Sequence, residues 1–99
     1  MSVVRVFQVE THPGKEAEFE AFFRETVMPL MRSRPGIEQL VFGLPRPETP
    51  GRFCIVMVWK DLEAMKAFVG EEWQNPHILP EEAALIADRS IRHYELAEG

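Results

Sequence analysis

The stretch "SVVRVFQVE", residues 2–10, is rich in β-branched residues and short enough for a strand. A two-residue period puts Val3, Arg5, Phe7 and Val9 on one face and Val4, Val6 and Gln8 on the other. Both faces carry apolar residues, so both are predicted to be covered. "THPG" then turns the chain, and the period changes. In "GKEAEFEAFFRETVMPLMRSRPG" the residues Phe19, Phe22, Phe23, Val27, Leu30 and Met31 recur at helical spacing. Glu16, Glu18, Glu20, Arg24 and Glu25 take the opposite side, and the early glutamates suit the positive end of the helix dipole. Pro29 is predicted to kink the last turns, and Pro35-Gly36 to end them.

"IEQLVFGL" and "RFCIVMVW" read as the next two strands. The "PRPETPG" between them is too short for a crossover helix, so they form a hairpin. "DLEAMKAFVG" is a short helix with Asp61 as its N-cap and Leu62, Met65, Phe68 and Val69 as its buried stripe. "PEEAALIA" gives a helical turn or two, and "DRSIRHYEL" a last strand. The order β-α-β-β-α-β over residues 1–99 predicts one α+β domain: a four-stranded antiparallel sheet with both long helices on one face. Val4, Val6, Cys54, Val56 and Val58 would then crowd the other face with apolar surface. A second copy packed sheet to sheet is the simplest cover, which predicts a homodimer.

Composition narrows the partners. A net charge of −5 on 99 residues argues against nucleic acid, whose phosphates need a basic face. Cys54, the single cysteine, suits a reduced, cytoplasmic setting. No stretch reads as a secretory signal or approaches the ~20 apolar residues of a membrane span, so no membrane partner is expected.

Chemistry is sparse. There is no phosphate loop, nucleophile elbow, paired-cysteine metal site or dinucleotide fingerprint. His93 and Glu95 share a strand face, but two ligands make a weak metal site, and a hydrogen-bonded strand histidine is the plainer reading. "EEWQNPHILP", residues 71–80, is kept from regular helix by Asn75, Pro76 and Pro80. It crosses the open end of the helix–sheet layer, where it plugs the core or lines a pocket. Walled by Trp73, the His77 imidazole there could act as a general base or orient a substrate; the plainer alternative leaves it facing solvent. Trp59, Phe7 and Phe68 are core residues by default. Arg5 sits in an apolar strand, where an unpaired charge is costly. It is expected to pair with Glu95 or another strand carboxylate, or else to grip an anionic substrate.

"HPGKEAEFEAFF", "MRSRPG", "IVMVWKDLEAMKAF" and the closing "RHYEL", in this order and spacing, resemble the antibiotic biosynthesis monooxygenase family over nearly the whole chain. The resemblance implies a ferredoxin-like fold assembled as a dimeric α+β barrel, with a pocket between sheet and helices. It implies a cofactor-independent monooxygenase that deprotonates a small electron-rich aromatic, quinol- or anthrone-like, so that the resulting carbanion reduces O2. His77 would be the base or an orienting group, with Phe7, Trp59, Phe68 and Trp73 as aromatic walls and His93 or Arg5 as a second polar contact. The family's haem-degrading branch uses an asparagine on the first strand and a tryptophan on the second helix, where this chain has Phe7 and Phe68. Those two departures count against haem degradation. A dimer that holds a small aromatic or apolar ligand without turning it over is the alternative, in a binding or stress role.

Overall fold

Strand β1 (Val3–Thr11) alternates in burial as its sequence alternates, with Arg5, Phe7, Val9 and Thr11 turned inward. The protein is described by a computed structural model over residues 1–76 and 78–97. There β1 lies inside a four-stranded sheet of order β2-β3-β1-β4, with β2 (Ile37–Gly43), β3 (Arg52–Trp59) and β4 (Ile86–Glu95). Every neighbouring pair is antiparallel. This is the α+β, ferredoxin-like arrangement that the element order predicts. Strand pairing sets Phe7 opposite Ile55 and Ile91, and Arg5 opposite Met57 and His93.

The first helical region starts as α1 (Glu16–Phe22), widens into a π-helical turn over Phe23–Val27, and continues as α2 (Met28–Arg32). Pro29 lacks the N–H that would bond back into the preceding turn. The wider turn just before it absorbs that lost bond and keeps Phe23, Val27 and Met31 buried. Helix α3 (Leu62–Val69) starts where predicted, because the Asp61 side chain accepts a hydrogen bond from the Ala64 N–H at 2.8 Å. Its buried stripe is Met65 and Val69, with Leu62 and Phe68 half-buried beside them. The last helical piece, α4 (Pro80–Ala83), is a single turn. Strand β4 begins two residues before the predicted start at Asp88, since Ile86 pairs with Thr11 beyond a register shift.

The helices cover one face of the sheet. At one end of that layer Phe19 meets Phe53 edge to face at 4.7 Å, and Phe23 meets Phe42 similarly at 5.8 Å. Trp59, fully buried, stacks on Phe68 at 5.9 Å nearer α3. The opposite face carries cross-strand rows of Tyr94, Val4 and Val58, then Arg92, Val6, Val56 and Val41. Val41 and Tyr94 are each 57% exposed, so this face is open in the single chain.

Gly36 joins the first helical region to β2. Its φ of +90° is unfavourable for other residues, and a Cβ there would stand 2.7 Å from the Ala64 Cβ on α3. Gly14, at φ +84°, has open space where its Cβ would point. Gly14→Ala is therefore expected to cost roughly 1–2 kcal/mol of backbone strain, and Gly36→Ala roughly 2–4 kcal/mol, because overpacking adds to that strain. Urea titration of both variants checks this; equal losses would show that α3 gives way freely.

Candidate functional site

Arg5 is only 2% exposed, although a charged group inside an apolar strand is expensive unless paired. Its Nη1 donates to the Trp73 carbonyl at 2.6 Å and to His93 Nε2 at 2.9 Å, while Nη2 reaches the Asn75 carbonyl at 3.4 Å. Among the described residues it makes no ion pair, which corrects the expected pairing with Glu95 or another strand carboxylate. Register explains the outcome. Glu95 lies opposite Val3 on the exposed end of β4, whereas Arg5 faces His93 and the segment after α3. Burial lowers the guanidinium pKa to about 10, which leaves it cationic at neutral pH.

Because arginine only donates, His93 Nε2 must accept, so its proton sits on Nδ1. Burial lowers the imidazole pKa, and the Arg5 charge lowers it further. Trp73 closes the other side of this ring, edge-on at 5.1 Å. Arg5, Trp73 and His93 thus form one cluster, held by β1, β4 and the segment after α3.

On the inner side of Arg5 a cavity of about 50 Å³ separates the sheet from the helices. Arg5 and Phe7 from β1, Met57 from β3, Phe68 from α3, and Leu79 and Glu82 enclose it. Glu82 is the residue that sequence reasoning missed. It is 3% exposed, and among the described residues its carboxyl makes no hydrogen bond or ion pair. Burial first, and the neighbouring Glu81 second, raise its pKa to about 7. In "PEEAALIA" it precedes the buried Leu85 by three residues, and the Leu85 N–H bonds its carbonyl at 2.9 Å. A single spacing of this kind is too little pattern to mark an inward-facing residue.

Of the aromatic walls named from sequence, Phe7 and Phe68 line this cavity. Trp73 and His93 border an outer cleft beyond Arg5 instead. Trp59 lies in the core behind Phe68, its indole N–H buried without a partner among the described residues. His77 lies outside the described residues. Among those described, no three His, Cys, Asp or Glu side chains gather as a metal site. A fixed cation and a carboxyl titrating near neutrality share one apolar space, which suits anion binding or proton transfer.

The family profile for antibiotic biosynthesis monooxygenase matches residues 2–76. No curated protein matches the chain. Among solved structures, the NE2512 protein of unknown function from Nitrosomonas europaea is 20% identical, with a TM-score of 0.78 over 99% of this chain and 91% of that one. A candidate antibiotic biosynthesis monooxygenase from Deinococcus radiodurans is 19% identical, with a TM-score of 0.73 over 100% and 95% of the two chains. PA3566 from Pseudomonas aeruginosa is 24% identical, with a TM-score of 0.71 over 97% and 95%. At these identities the likeness establishes the fold alone.

A carboxyl whose pKa rises from an ordinary 4.5 to about 7 on folding makes the folded state hold the proton more tightly than the unfolded one. Stability contributed this way is complete below pH 4.5 and is lost as pH climbs to about 7. The full loss is at most about 3 kcal/mol. Glu82→Gln, which cannot ionise, is expected to flatten that slope and to melt above the native protein at pH 8. Melting curves from pH 4 to 8 check this, and parallel curves for the two proteins would place the carboxyl in solvent.

Proposed function

The chain belongs to the antibiotic biosynthesis monooxygenase family, and from that premise we propose that it is a cofactor-independent monooxygenase acting on a small electron-rich aromatic with O2. The observation that carries this reading is the cavity between sheet and helices. Its walls are apolar and aromatic, and Arg5 and Glu82 are the charged residues at its boundary. Apolar walls of this kind limit the water around a carbanion while leaving charged groups to bind and ionise the substrate.

Phe7 and Phe68 supply the flat walls. Trp59 supports Phe68 from behind. Trp73 and His93 hold Arg5 in place from the outer cleft. His77 is proposed as the base or orienting donor on the strength of its place in "WQNPH" and of the family resemblance.

About 50 Å³ holds a few water molecules, so an aromatic ring enters only if the cavity walls yield. This size favours a single ring over a fused polycycle and counts strongly against haem. The small size also favours the second reading, a binder that holds a compact apolar ligand without oxidising it.

The assembly we propose is a homodimer through the open sheet face, forming the dimeric α+β barrel, in a cytoplasmic setting. The apolar row of Val6, Val56 and Val41, flanked by Val4 and Val58, supports it. Sedimentation at micromolar concentration is expected to give a dimer for the native chain and a monomer for Val6→Glu. A native monomer would remove this assembly.

Oxygen uptake across a panel of hydroquinones, catechols, naphthoquinols and anthrones tests the activity, without added metal or flavin. Uptake is expected with at least one compound and should fall roughly 100-fold or more in His77→Ala. Undiminished uptake in that variant would remove His77 from the chemistry. No uptake, with saturable quenching of tryptophan fluorescence by the same compounds, would leave the binder.

A further inference from the structure

We propose that Glu82 is the proton acceptor of the cavity, which leaves His77 the orienting role, and that Arg5 is the counter-cation of the anion so formed, which makes the ligand an enol or a phenol. The inference rests on reading the cavity as a small-molecule site, and it names the chemistry of that site.

Three features of the structure converge on it. Glu82 and Arg5 border the same cavity, and among the described residues they form no ion pair with each other. Among the described residues, the other elements around that space contribute apolar side chains: Val27, Leu30 and Met31 from the first helical region, Ile55 and Met57 from β3, and Phe68 and Val69 from α3. The charged groups acting there, among the described residues, are Arg5 from β1, with His93 beyond it, and Glu82 with its neighbour Glu81.

Arg5 also has more to give than it spends. A guanidinium carries five N–H donors, and partners among the described residues take up three hydrogen bonds: two carbonyls and His93. A side chain needed only to tie the segment after α3 to the sheet could do so with less. Glu82 has the opposite character. Glu82 is a buried residue whose carboxyl has no partner among the described residues, and beside an apolar space its anion is costly. The cost vanishes once it takes a proton.

The step balances simply. The substrate O–H bond breaks and an O–H bond forms on Glu82, while the electron pair stays on the substrate oxygen and faces Arg5. No electron changes hands. The site charge is the same before and after, because the negative charge only moves from Glu82 to the ligand. This transfer within a fixed field is what a dry site favours over transfer to water. Quinols and catechols have such an O–H; saturated alcohols are too weakly acidic for this step.

The probe is 3-nitrophenol, mostly un-ionised in solution at pH 7.5, whose phenolate absorbs at longer wavelength. Bound to the native protein, it is expected to show the phenolate band. Bound to Glu82→Gln, a variant of the same shape, it should bind as the phenol, with an ionised fraction about tenfold lower. An equal ionised fraction in both proteins would overturn the assignment of Glu82 and leave the site standing. Failure of the native protein to bind the probe at millimolar concentration would overturn both, because the cavity would then not admit a phenol. Oxygen uptake plays no part in this readout, so an inactive but ionising site would separate this inference from the proposed monooxygenase activity.

Discussion

The site depends on one constraint, a guanidinium stationed in the middle of an apolar strand. Arg5 sits on the same face as Phe7 and Val9, and its charge cannot reach water. Hydrogen bonds to the Trp73 and Asn75 carbonyls and to His93 offset that burial. Each charged hydrogen bond contributes about 1.5–3 kcal/mol, and the cost of leaving any partner unsatisfied is of the same order. The consequence is architectural. The segment after α3, which the prolines keep out of helix, is drawn over the end of the sheet because its carbonyls are what the cation needs. His93 is held in one tautomer by the same contact.

Two opposing forces act on Glu82 in the cavity behind Arg5. A nearby cation would favour its anion, and burial disfavours it. Burial prevails, since the carboxyl pKa rises to about 7 and Arg5 is absent from the causes of that rise. The guanidinium gives three hydrogen bonds to two carbonyls and an imidazole, and none to Glu82. Had Arg5 paired with a strand carboxylate, as sequence reasoning expects, the local charge would be neutralised and the cavity would be bounded by a closed ion pair. Its pairing with uncharged groups leaves a positive field at the cavity wall.

Most of the fold was legible from periodicity. The β-α-β-β-α-β order, the third strand from Arg52 to Trp59 and the Asp61 cap all follow from local rules that tertiary packing did not override. The π-helical turn was not legible, because a proline announces a defect without saying which turn will absorb it. The site was read in halves. Arg5, Phe7 and Phe68 stand out as a charge in a strand and aromatics facing inward, and all three line the cavity. Trp59 and Trp73 are indistinguishable from them by sequence, yet one is core and the other borders the outer cleft. Glu82 was hidden for a physical reason. In a one-turn helix the inward face comprises one or two residues, too few for a period to mark.

The two faces of β1 express two kinds of requirement through one alternation. Arg5 and Phe7 point to the cavity, and Val4 and Val6 to the open face, one residue out of step. A slip of one residue would exchange them, sending the cation to the exposed face and valines to the site. The registers of β1 against β3 and β4 therefore fix the cavity's chemistry and the outer face's hydrophobicity together. Phe7 makes the point sharply. Its ring takes the space a smaller side chain would leave to a ligand, and Ile55 and Ile91 pack it from both neighbouring strands. The cavity is small because the strand pairing that positions Arg5 also seats this ring beside it. The space between sheet and helices is thereby narrowed in this chain.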